Sequence, residues 1–183
     1  MFTRFIKQSF TEMKSKSVVF LILVLFPAIL FPQSNGIPKG NEQIPIQNAE
    51  FEQEVLRLVN KIRLQHHLDT LLWNDDLARA ALYHAQDMAI DDYMEHATCD
   101  RKNKQLIKMC GTFERIEKFV SFSSLGENIS AGQENAKNTV EAWMNSTSHR
   151  ANILNPHFKF LGVGYFYEST SIYKHYWVQD FGG

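Results

Sequence analysis

The helical periods of this chain come first and its β-forming runs come last, and that segregation does most to narrow its fold. Residues 158–167 and 172–181 are dense in Phe, Tyr, Val and Ile, and the polar stretch Glu168-Ser-Thr-Ser171 between them reads as a turn. The two runs therefore predict an antiparallel hairpin. Upstream, Phe51, Val55, Leu58, Val59 and Ile62 recur at the i, i+4, i+7 spacing of one helix face. A second helix is predicted from a cap at Asn74 or Asp75 to about Asp91, with Leu77, Ala81, Leu82, Ala85 and Met88 on its apolar side. A third, over about Ala136–Asn145, buries Val140, Trp143 and Met144. A short fourth, His149–Leu154, follows a cap at Ser148 and stops at Asn155-Pro156. Residues 92–124 carry neither period and read as a long surface loop with a short helix around Phe113–Phe119. Helices early and strands late give an α+β domain. Aromatics are 13% of the chain's residues, 14 Phe among them, so a sizeable core is possible without a metal or disulfide staple.

The N-terminus reads as an export signal. Arg4, Lys7, Lys14 and Lys16 precede an uncharged apolar run, Ser17–Phe31. As a helix that run spans ~22 Å, short of the hydrocarbon core of about 30 Å, which favours removal over a stable anchor. Ser34 and Gly36 offer small residues for cleavage after Gly36. The expected organisation is a signal peptide over 1–36, a linker over 37–49 rich in Pro, Gly, Asn and Gln, and one domain over 50–183. The protein is then secreted, periplasmic or held at the cell surface, and it meets a membrane only if the signal stays uncleaved. Cys99 and Cys110 are the only cysteines, and an oxidising compartment permits a bridge between them, the alternative being two separate thiols. A net charge of −1 without a basic block argues against nucleic-acid binding and against steering to an anionic membrane. There is no GxSxG, no HExxH and no Gly-rich phosphate loop.

Five further segments join Trp143-Met-Asn-Ser-Thr-Ser-His149-Arg150-Ala-Asn152-Ile153-Leu154-Asn155-Pro156. They are Tyr83–Ala89, Met94-Glu95-His96, Leu125-Gly126-Glu127-Asn128-Ile129, Leu161-Gly162-Val163-Gly164-Tyr165 and Tyr176–Gly182. In this order, over about residues 50–183, the set resembles the bacterial branch of the CAP superfamily, the SCP-like domains of cysteine-rich secretory, antigen-five and pathogenesis-related proteins. The resemblance implies a three-layer α-β-α sandwich with a central antiparallel sheet. It also implies a shallow cleft lined by two histidines and two acidic residues, whose histidines hold a divalent metal such as zinc in some members. By motif, His96 and His149 match the histidines and Glu127 the first glutamate. Ser146 stands where eukaryotic members carry the second glutamate, so Glu141, two residues before Trp143, either enters the cleft or stays on a solvated helix face.

The same residues have a purely structural reading, with His96 and Glu127 fastening the 92–124 loop and His149 bonding a backbone carbonyl. The function implied is an exported, non-enzymatic binding or interaction module for a lipid, cell-envelope or host-protein ligand. One alternative is a metal-dependent hydrolase with Glu127 as general base. Another is a lipid or sterol carrier, with Phe113, Ile116, Phe119, Val120 and Phe122 forming one wall.

Overall fold

Helix α1, Ala49–Gln65, starts at Asn48, whose side chain accepts the Phe51 N–H, and it buries Glu52, Val55, Val59 and Arg63 along one stripe. The computed structural model describes residues 36–183; apart from Gly36, the predicted signal peptide lies outside them. After α1 come β1 (Leu72–Trp73) and α2 (Asp75–Ile90), the latter capped by Asn74 onto the Leu77 N–H as its sequence predicts. A hairpin of β2 (Thr98–Lys102) and β3 (Gln105–Cys110), the short α3 (Thr112–Ile116) and β4 (Leu125–Ala131) follow. The chain ends with α4 (Ala136–Asn145), α5 (Thr147–Ile153), β5 (Phe160–Tyr167) and β6 (His175–Gly182).

The main sheet has four strands in the order β1-β5-β6-β4. On β5, Leu161, Val163 and Tyr165 join α1, α4 and α5 in one core, together with Trp143, Trp177 and Phe181. Alternate residues face the other way, and Phe166, Tyr176 and Val178 pack against Ala81, Ala85 and Met88 of α2. Period-2 alternation thus buries both faces of the sheet, giving three layers. The sheet is not wholly antiparallel as expected: β1 pairs with β5 in parallel, because the chain enters this edge from α1 and must cross over through α2.

The stretch 92–124 is more ordered than its aperiodic sequence predicts. Its β2–β3 hairpin turns through Asn103 and Lys104, both at positive φ, a two-residue turn of the primed kind. Strand β4 also escaped the sequence reading. It is a seven-residue stretch rich in small and polar side chains whose strand identity comes from pairing with β6. Ile116 and Phe119 are buried against Leu77, Ala80 and Tyr83 of α2, so the residues suggested as a lipid-facing wall mostly pack the domain; Phe113 alone stays half exposed.

The expected disulfide is not formed. Cys99 and Cys110 are buried free thiols. A bulge sets Cys110 opposite Thr98 and Cys99 opposite Lys108, and each sulfur lies near a different carbonyl, those of Ala97 and Gly36. Of the expected linker, 37–49, Ala49 opens α1 and the residues before it lie along the domain. The Gln47 side chain brackets the Tyr167 backbone, accepting its N–H at 2.6 Å and donating to its carbonyl at 3.3 Å. Arg79 holds the Gly40 carbonyl at 3.1 Å. The described residues form one compact unit.

Candidate functional site

Strand β4 carries Glu127, and strand pairing decides its surroundings. Glu127 is registered directly opposite Asp180 of β6, which is opposite Gly162 of β5. Both carboxyls are almost fully buried. Glu127 Oε1 accepts from His96 Nδ1 at 2.8 Å. Glu127 Oε2 is held by the guanidinium of Arg115, from α3, which is itself fully buried. Arg115 also donates to the His96 carbonyl at 2.9 Å and the Thr98 hydroxyl at 3.3 Å, and Thr112 bonds the same His96 carbonyl at 3.0 Å. Helix α3 and the loop bearing His96 are therefore locked to β4 through one carboxylate.

The charges follow from this packing. Burial pushes Glu127 towards the neutral form, but the Arg115 guanidinium, joined by His96, outweighs it and holds the carboxyl below its ordinary range. The hydrogen bond to Glu127 raises the pKa of His96, whose side chain keeps 52% of its exposure. His149 shifts the opposite way, lowered by burial and then by the charge of His96, so His96 is the first of the two to become cationic. His84 of α2 is wholly buried behind the site and burial depresses it to about 3. As the neutral ring it donates from Nε2 to the Glu95 carbonyl at 2.9 Å.

Asp180 receives no N–H or O–H on either oxygen. Burial, then the charge of Glu127 across the ladder, raises its pKa far above the carboxylate range, and in the protonated form it donates to Glu127. An unfolded Asp ionises near ~3.9, so the folded state alone keeps this proton as pH rises, and stability falls with pH on this account. Asp180→Asn, whose amide supplies the same donor, is expected to raise Tm at pH 8, with the gain shrinking as pH falls towards 4. A Tm difference that is flat with pH would refute a proton held on Asp180.

Asn128, one residue after Glu127 and so on the opposite face, donates to the His149 carbonyl and to Gln179 Oε1, each at 3.1 Å. Asn152 of α5 donates to the Glu127 carbonyl at 3.0 Å and to Asn128 Oδ1 at 2.9 Å. These bonds seat α5, and with it His149, on β4. Ser146 rather than Ser148 is the N-cap of α5, and His149 remains in its first turn.

The model of the cysteine-rich secretory protein family, CAP, matches residues 56–181. The chain belongs to the CAP family. The Bacillus subtilis protein YkwD is 36% identical to it over 140 residues, covering 76% of this chain and 49% of YkwD. An extracellular SCP-domain protein of Bacillus anthracis is similar at 28% identity and a TM-score of 0.60, over 76% of this chain and 44% of that one. An outer surface protein of Borrelia burgdorferi, 21% identical with a TM-score of 0.65 over 77% of this chain and 98% of that one, shares the fold. The chain spans half or less of the length of the curated relatives it matches. Among the described residues no helix is long and apolar enough to cross a membrane.

In this CAP domain the expected cleft residues come together only in part. His96 and Glu127 are in contact, and His149 is near enough to feel the charge of His96. Glu141 stays out: it lies on the solvent face of α4, 61% exposed and within 3.8 Å of Lys137, because Val140 and Trp143 take the core-facing stripe. Arg150 is exposed, and Asn152 ties α5 to β4. Among the described residues no three His, Cys, Asp or Glu side chains converge as a metal centre. Both Glu127 oxygens are engaged and a guanidinium already neutralises it, leaving two imidazoles where a catalytic zinc needs three protein ligands. The donor set does not fit a zinc hydrolase, and a carboxylate held below its ordinary pKa by Arg115 does not suit a general base near neutrality.

Two residues of this site, Arg115 and Asp180, were missed from sequence. Asp180 left a signal, being the one acid in the strand-like run 172–181. Arg115 left none, since it sits among Glu114, Glu117 and Lys118 in a segment of mixed polarity.

Proposed function

We propose that this CAP-domain protein is exported and acts as a binding module, without chemistry of its own, whose contact surface centres on His96 and His149. The observation that carries the reading is the arrangement of Glu127. Gripped by Arg115 on one oxygen and His96 on the other, it orients an imidazole rather than exchanging protons with a substrate. His96 commits Nδ1 to Glu127 and has Nε2 left for a partner, on a side chain half open to solvent. As its pKa is raised, it offers a charge-assisted donor at mildly acidic pH, suited to acceptor-rich or anionic groups of a cell-envelope or host ligand. The extracellular SCP-domain protein of Bacillus anthracis and the Borrelia burgdorferi outer surface protein are consistent with a role outside the cell.

The test is co-sedimentation of residues 36–183 with isolated bacterial cell envelopes at pH 6. The His96→Ala/His149→Ala variant is expected to fold, by circular dichroism, and to lose about tenfold in retention, the size of one charge-assisted hydrogen bond. Equal retention of both proteins would sink this reading.

A further inference from the structure

A cavity of about 400 Å³ opens between α1, α2 and the N-terminal segment, and neither His96 nor Glu127 lines it. Its walls are Ile44 and Ile46 of the N-terminal segment, Trp73 of β1, and Ala78 and Leu82 of α2. That volume lies in the range of small-molecule pockets, about 300–1,000 Å³. In its lining stands Glu52, only 3% exposed.

Glu52 is not accounted for by packing alone. Its Oε1 accepts the Tyr165 N–H at 3.2 Å, capping the stretch of β5 that extends past β1 and would otherwise be an open edge. That duty needs an acceptor, which glutamine supplies without a charge. Instead the position holds an ionisable group, and burial without a neighbouring cation, only partly offset by the Tyr165 bond, pushes it up to about 7. The nearest cationic wall residue is committed elsewhere. Arg79 donates to Asp76 at 2.9 Å and to the Gly40 carbonyl, and lies over the Phe119 ring. The other charged wall residues are acids: Glu42, bonded to the Lys39 and Gly40 N–H groups, and Asp75, bonded to the Trp73 indole. An apolar chamber with one buried carboxyl and an acidic surround repels carboxylates and accepts cations.

We propose that this cavity is a ligand site for a small cationic amphiphile, an ammonium group on an apolar body, seated with its charge on Glu52. The apolar body fills the space between Ile44, Ile46 and Leu82, and the ammonium donates to Glu52, which keeps its bond to Tyr165. The N-terminal segment closes one wall, so the site exists only in protein that retains residues 42–46.

The test is calorimetric titration of residues 36–183 near pH 7.5 with three probes of one chain length: octylammonium, octanol and octanoate. Octylammonium is expected to bind about tenfold tighter than octanol, and octanoate more weakly than either. In Glu52→Gln, which keeps the acceptor for Tyr165, the octylammonium affinity is expected to fall to that of octanol. The comparison among probes on the unmodified protein stands even if that variant folds poorly. Octylammonium binding no tighter than octanol, octanoate binding as tightly as octylammonium, or an ammonium preference that survives in a folded Glu52→Gln would each overturn the proposal.

Discussion

Arg115→Met is expected to cost about 3–5 kcal/mol of folding stability, because it strands the buried Glu127 carboxylate without its guanidinium. The bonds from Arg115 to the His96 carbonyl and Thr98 are lost with it, so the loop that presents His96 loosens as well. Glu127 is depressed in the intact protein, so its ion pair contributes stability at neutral pH and loses it as pH falls through the depressed value. In Arg115→Met the deficit is therefore largest near neutrality and shrinks in acid, where Glu127 takes a proton. Combining it with Glu127→Gln is expected to recover part of the loss, since no uncompensated charge remains. Urea denaturation of the two single variants and the double variant gives the coupling directly. A deficit below 1 kcal/mol at pH 7 would mean that the pair does not hold the site together.

Gly164→Ala is expected to cost at least about 3 kcal/mol, the upper end of ordinary overpacking, or to prevent folding. A Cβ on Gly164 would lie 2.2 Å from the Leu82 backbone nitrogen and 2.3 Å from the Ala81 carbonyl carbon. These are main-chain atoms of α2, which cannot swing aside as a side chain does. Gly162 meets α2 in the same way, 2.1 Å from the Ala78 nitrogen. Together the two glycines let the helix lie directly on β5. Thermal denaturation of the purified variant, or its failure to accumulate as soluble protein, checks the expectation; a Tm within 2–3 °C of the parent would be a loss of under about 1 kcal/mol and would contradict it.

The two glycines show how sequence and structure divide the explanation. Glycines inside a strand-like run indicate close packing or a bulge, but not which element approaches them. The helices α1, α2, α4 and α5 and the β5–β6 hairpin were legible because each rests on local spacing: an apolar stripe, a capping Asn, or a turn between two β-branched and aromatic runs. Strand β4 was not legible as a strand, although its Gly-Glu-Asn motif marked a site residue. Its small and polar side chains become a strand only when β6 supplies the hydrogen-bonding partner. The β2–β3 hairpin, with nine consecutive residues from Arg101 to Met109 mostly exposed, shows no alternation because it has no buried face along most of its length.

By itself the sequence determined the family and the α+β class, and it pointed to His96, Glu127 and His149 as cleft candidates, since these sit in contiguous motifs. The tertiary structure decided what those residues are. Register places Asp180 against Glu127, and the packing of α3 on the sheet brings Arg115 to the same carboxylate. The α4 stripe turns Glu141 outward, and a bulge parts the two cysteines. These outcomes depend on contacts between distant segments and on desolvation, neither of which leaves a period in the chain. The charge state and role of a buried group are set by what surrounds it in space.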